Sequence, residues 1–274
     1  MLLQATDVRF AYRPDRGVAA KPVLNGVTLE VPAGRVVGIL GPNGSGKTTL
    51  LRILNGTLRP LGGHVSLDGQ DLATLPRSAL ARRMASVPQE IHLAFDYSVI
   101  EIVLMGRYPH LGAFEVEGPA DLAIARRALA ATGTLDFESR SFATLSGGEK
   151  QRVIIAAALA QISDDGEPRA GTLLLLDEPT AALDLGYQLE VAALVRGLNR
   201  QLPLSIVVST HDLNFAAGVC DTLVLLREGR VLAAGATDDV LTPEHIRALY
   251  DVEADVQRHA EAGHLVVVPI GRRA

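Results

Sequence analysis

A short, continuously apolar stretch, Val36–Leu40, runs directly into GPNGSGKT at residues 41–48. This satisfies G-x-x-x-x-G-K-[ST] in its confirming context, after a strand and before a helix that begins near Lys47. Gly41, Gly44 and Gly46, with Asn43 and Ser45 between them, let backbone N–H groups curl around a phosphate chain without Cβ clashes. The helix that follows presents its positive N-terminus to the anion. Lys47 is placed to neutralise β- and γ-phosphate oxygens, Thr48 to offer its hydroxyl to Mg²⁺, and Thr49 stands next on the same turn. The expected ligands are a nucleoside triphosphate and Mg²⁺.

A second apolar run, at residues 173–180, reads LLLLDEPT. A buried strand ending in two carboxylates brings negative charge to the sheet edge where α/β folds bind their ligands. Asp177 is expected to hold Mg²⁺ in the Walker B role. Glu178, pointing another way, is expected to polarise a water in line with the γ-phosphate. A strand ending in a solvated acidic turn would look the same in isolation; the phosphate loop is what separates the two readings.

Elsewhere, residues 2–10 and Val27–Val31 mix apolar and polar positions as half-buried strands do, and Arg13–Pro22 reads as a loop. Ser98–Met105, Ala120–Thr132 and Glu149–Gln161 have helical spacing. Ser205–Ser209 and Thr222–Leu226 have strand texture. Ser163–Gly171 is acidic and rich in breakers, a surface loop. Thr237–Tyr250 reads as a final helical region and Leu265–Val268 as a last strand.

The charge balance, 26 basic against 31 acidic residues and a net −5, gives no electrostatic footprint for nucleic acid. Cys220 is the only cysteine, so neither an intramolecular disulfide nor a cysteine metal cluster is available. Residues 1–10 contain Asp7 and have no long apolar core, unlike a signal peptide. Apolar stretches such as Val153–Ala160 fall short of the roughly 20 residues of a membrane helix, so membrane association is expected only through a partner.

Many phosphate-loop proteins share these two features. LSGGEKQR, at residues 145–152, narrows the field. Like the phosphate loop it is a glycine-rich turn opening a helix, which offers N–H dipoles to an anion; Ser146 also suits an N-cap. Here the sequence closely resembles the ABC ATPases, whose signature is LSGGQ-like, with Glu149 where that family usually has Gln. The resemblance covers about residues 2–250. It implies an α/β fold: a P-loop NTPase core of ABC ATPase type with an N-terminal antiparallel β portion and a helical subdomain insertion. The whole chain would be one domain, with the core at about 1–88 and 153–274 and the helical subdomain at about 89–152. A small-molecule kinase, the other phosphate-loop possibility, leaves LSGGEKQR unexplained.

The resemblance also implies roles, position by position. Ser146, Gly147 and Gly148 would contact the γ-phosphate of ATP held by a second subunit, so that two chains pack head to tail as a homodimer or pseudo-dimer. Gln89, in SVPQE, matches the Q-loop glutamine that contacts Mg²⁺ and the attacking water. Ala182-Leu183-Asp184 matches the D-loop across the dimer interface. His211, in STHD, matches the switch histidine that contacts the γ-phosphate and steadies Glu178. Tyr12 resembles the aromatic that stacks on adenine, with Phe10 or a packing role for Tyr12 as the alternatives.

Residues 96–112, DYSVIEIVLMGRYPHLG, lie where the family forms the groove for a permease's coupling helix. GRYPH and TPEHIRALYDVEADV resemble ATPases of iron-siderophore, haem and vitamin B12 importers. The expectation is therefore an ATP-hydrolysing subunit at the cytoplasmic face of the inner membrane, peripheral. It would serve integral-membrane permease subunits and, through them, a substrate-binding protein. Uptake of another substrate, or a soluble ABC ATPase acting outside transport, stays open. Ribosome-acting relatives usually carry two cassettes, and DNA-repair relatives a long coiled coil between the motifs.

Overall fold

The structure, a computed structural model, describes residues 1–12, 21–90, 93, 95–181 and 183–272. In chain order the elements are β1 (Leu3–Ala11), β2 (Pro22–Val31), β3 (Val36–Leu40), α1 (Lys47–Leu54), β4 (Gly62–Leu67), β5 (Gln70–Asp71), α2 (Arg77–Arg83), β6 (Met84–Val87), α3 (Val99–Met105), α4 (Pro119–Ala131), α5 (Gly147–Ile162) and β7 (Thr172–Asp177). There follow α6 (Leu185–Gln201), β8 (Leu204–Thr210), α7 (Leu213–Val219), β9 (Thr222–Arg227), β10 (Arg230–Ala236), α8 (Thr237–Val240), α9 (Pro243–Tyr250), β11 (Val252–Arg258) and β12 (Leu265–Arg272). Most of the loop expected over Arg13–Pro22, and Ala182 of the expected D-loop, lie outside the described residues.

The chain divides into two compact units, residues 1–74 with 207–274, and residues 75–206. In the first, β1 runs antiparallel to β2 (Leu3 opposite Val31) and to β4 (Leu3 opposite Leu67). The N-terminal β portion is thus antiparallel, as the resemblance implies. Beside it, β3 pairs in parallel with β9, Val37 opposite Thr222 through Leu40 opposite Leu225, and β10 returns antiparallel to β9. Every residue of β3 is buried. That explains its unbroken apolar run, since a parallel strand covered on both faces has no solvent side to alternate with. The helical region at Thr237–Tyr250 is two helices, because Pro243 cannot continue α8 but suits the first turn of α9. The last strand runs on from Leu265 to Arg272 and pairs antiparallel with β11, Arg258 opposite Leu265.

The second unit has β6 parallel to β7, Met84 opposite Leu173 through Val87 opposite Leu176. It also has α5, buried along Val153, Ile154, Ile155, Leu159 and Ile162. Arg107, in the GRYPH stretch, is buried, only 3% exposed. Its guanidinium donates to Asp121 Oδ1 at 2.9 Å and to the carbonyl oxygens of Ala160 and Ser163 at 2.6 and 2.5 Å. A buried guanidinium requires such partners, and here they join α3, α4 and α5. Tyr108 beside it is 58% exposed. Among the described residues no helix is long and apolar enough to cross a membrane.

Candidate nucleotide site

In the first unit the phosphate loop leaves the carboxyl end of β3, and Gly41 N donates to Thr210 O at the end of β8, 3.4 Å away. The loop is pressed against its surroundings. A Cβ on Gly41 would stand 2.2 Å from the Leu226 carbonyl oxygen. Gly46, the N-cap of α1, has φ +105, which L side chains rarely adopt. Gly229 N donates to Ser45 O at 3.1 Å, so the β9–β10 turn supports the loop from behind.

Lys47 is buried and its ammonium donates to Gly41 O at 2.9 Å and Pro42 O at 3.3 Å, folding the side chain back over the loop. Ser45 is 3% exposed and its hydroxyl has no hydrogen-bond partner. Asn43 and Gly44 face solvent, with open space around Gly44. Thr48, following Lys47, is half-buried. A cationic side chain and backbone N–H groups at a helix start, beside an open cradle, fit a polyphosphate with its Mg²⁺. A cavity of about 390 Å³ adjoins the loop, walled by Pro42, Ser45, Arg227, Tyr250, Asp251 and Arg272 among others. The C-terminal members of that wall had no signal in the sequence, since nothing in local spacing marks a contact from so far along the chain.

Tyr12 is 47% exposed, packs edge-on against Phe10 with ring centroids 5.0 Å apart, and its hydroxyl lies 3.2 Å from that of Thr49. The Thr49 hydroxyl is thereby engaged with Tyr12. His211 directly follows β8 and is exposed.

In the second unit, the register Val87 opposite Leu176 puts Gln89 and Glu178, each two residues further on, at the same edge of the β6–β7 pair. Asp177 ends β7. Glu178 has φ 46, a left-handed conformation uncommon for a non-glycine residue. It turns the chain sharply after Asp177, so the two carboxylates do not continue the strand's alternation. Backbone strain of this kind gathers at functional sites.

The glycine-rich octet opens α5 through a reciprocal capping box. Glu149 N donates to Ser146 Oγ at 3.3 Å, and Ser146 N donates to the Glu149 carboxylate at 2.7 Å. That backbone N–H, reinforced by the Ser146 hydroxyl and by Arg140 and Arg152, holds the Glu149 carboxyl below its ordinary value against the small cost of burial. A carboxylate at this position accepts the Ser146 N–H as a charge-assisted bond, which a neutral glutamine could not. Gly147 is exposed and Gly148 buried. Asp184 caps α6, accepting from Tyr187 N at 3.1 Å, and Gln188 donates to Leu183 O at 2.9 Å, fixing the turn before the helix.

A strand, a phosphate loop closed by lysine, and a carboxylate pair ending a buried strand define a P-loop nucleotide-binding protein. The family described as ABC transporter matches residues 24–181, and the chain belongs to it. It is 43% identical to the hemin import ATP-binding protein HmuV of Bordetella pertussis, over 98% of this chain and 99% of that one. It is 41% identical to the cobalamin import ATP-binding protein BtuD of Halobacterium salinarum, over 94% of this chain, and spans 63% of that protein's length. Among solved structures, it resembles an inward-facing ABC transporter described as of metal-chelate type, with TM-score 0.81 and 29% identity over 98% of this chain and 97% of that one.

Proposed function

We propose that the chain is the ATP-binding and ATP-hydrolysing subunit of an ABC importer. It energises uptake of an iron chelate (siderophore or haem) or of vitamin B12 through a separate permease. The observation that carries the ATPase reading is the Lys47 ammonium folded over the phosphate loop. Likeness to import ATP-binding proteins for hemin and cobalamin supports the import reading. The domain organisation that goes with it is a single cassette carrying a helical subdomain at about residues 89–152.

Mg²⁺, when bound, would neutralise phosphate charge. Thr48, Asp177 and Gln89 would hold it, through oxygen donors that suit a hard cation. Asn43 to Thr49 cradle the phosphates, and Lys47 meets their charge. Tyr12 offers an open ring face to adenine. Glu178 orients and polarises the attacking water, and His211 steadies the γ-phosphate side. Ser146, Gly147 and Gly148 present N–H groups to the nucleotide of a second copy, with Asp184 at the same interface. The active form is then a homodimer at the cytoplasmic face of the inner membrane, held there by the permease, to which a substrate-binding protein delivers cargo. Reconstitution with a permease of this importer class is the test: substrate-stimulated ATPase and uptake of haem, a ferric siderophore or cobalamin support the reading. A chain that hydrolyses ATP and binds no permease contradicts it.

A further inference from the structure

The turn that carries His211 is bonded locally through Asp212. Asp212 N donates to Thr210 Oγ1 at 3.0 Å, and the Asp212 carboxylate accepts from Asn214 N and Phe215 N to cap α7. A helix of seven residues has little stability of its own. Residues beyond 240 bond to it at two places. The Tyr250 hydroxyl donates to the His211 carbonyl oxygen at 3.2 Å. The Asn214 amide makes a reciprocal pair with β12, donating to Val267 O at 3.2 Å and accepting from Val267 N at 2.8 Å.

Tyr250 is itself fixed in place. Thr242 caps α9 by accepting from His245 N at 3.2 Å. At the other end, Arg227 grips Asp251, 2.8 Å from guanidinium to carboxylate, and also bonds the Ala248 carbonyl. Arg227 precedes the turn whose Gly229 supports Ser45, so the anchor of α9 is continuous with the support of the phosphate loop. Tyr250 and Ser45 share the wall of the 390 Å³ cavity.

We propose that Tyr250 is a positioning residue for His211: its hydroxyl, acting with the Asn214–Val267 pair, fixes the backbone on which the His211 imidazole is carried. The proposal rests on the reading that His211 acts in hydrolysis. Catalytic geometry tolerates errors of only about an ångström. Bonding the His211 carbonyl sets where the backbone that carries the imidazole stands.

Tyr250→Phe deletes only the hydroxyl. In steady-state ATPase of the full chain, kcat is expected to fall about five- to tenfold, the scale of one lost hydrogen bond, while KM for ATP and the melting temperature hold. Asn214→Leu, which frees the turn from β12, is expected to show the same split. His211→Ala, run alongside, is expected to abolish turnover. Parental kcat in Tyr250→Phe with an inactive His211→Ala overturns the positioning role, as does a KM that rises in step with the fall in kcat in both turn variants. Full turnover in His211→Ala overturns the reading beneath it.

Discussion

The Lys47 ammonium lies 2.9 Å from the carbonyl oxygen of Gly41, the residue that opens the loop Lys47 closes. Together with Pro42 O this is a self-bonded resting arrangement in which the charge already sits over the phosphate cradle. Removing it takes away a charge-assisted contact to the nucleotide. Lys47→Ala is therefore expected to weaken binding of a fluorescent ATP analogue by about 10- to 100-fold. Unchanged affinity would detach Lys47 from the nucleotide.

Arg107 and Tyr108 are neighbours with opposite tasks. Arg107→Ala strands the Asp121 carboxylate and the Ala160 and Ser163 carbonyls, and is expected to cost about 2–4 kcal/mol of stability. Tyr108→Ala, at an exposed ring, is expected to change stability by less than about 0.5 kcal/mol. Denaturant melts compare the two; equal losses would contradict the buried strut.

How far the sequence led is visible in these same elements. Val36–Leu40 and Leu173–Leu176 were legible as strands because burial on both faces leaves an unbroken apolar run, and LSGGEKQR because its cap is encoded within four residues. β11 was overlooked although Val252, Ala254 and Val256 alternate with polar residues as a half-buried strand does; the run is short and follows directly on the α9 pattern. Nothing in GRYPH marks Arg107 as buried; its three partners come from residues 14 to 56 positions away. The Tyr250–His211 contact spans 39 positions and leaves no periodic trace.

Glu149 makes the signature helix pH-sensitive. Its carboxyl is held below the ordinary 4.5 by the Ser146 N–H. A depressed folded value means its stabilisation is fully present above the unfolded value and is lost as pH falls through the folded one. Glu149→Gln keeps a cap acceptor without titrating, so its melting temperature is expected to fall less steeply than the parent's between about pH 5 and pH 3. Identical slopes would remove Glu149 from the cap.

Cys220 is buried, and burial, helped by Asp221, pushes its thiol up to about 12. The thiolate is the reactive form. Iodoacetamide at neutral pH is expected to leave the native chain unlabelled and to modify it once denatured. Rapid native labelling would contradict the buried placement.

We propose that this chain hydrolyses ATP with Glu178, the left-handed residue that follows Asp177 at the end of β7. The most direct measurement is steady-state ATPase of Glu178→Gln beside the parent, with ATP affinity measured on both. Turnover is expected to fall by at least about a hundredfold, the weight of a general base, with ATP affinity kept. Near-parental turnover in Glu178→Gln would contradict it.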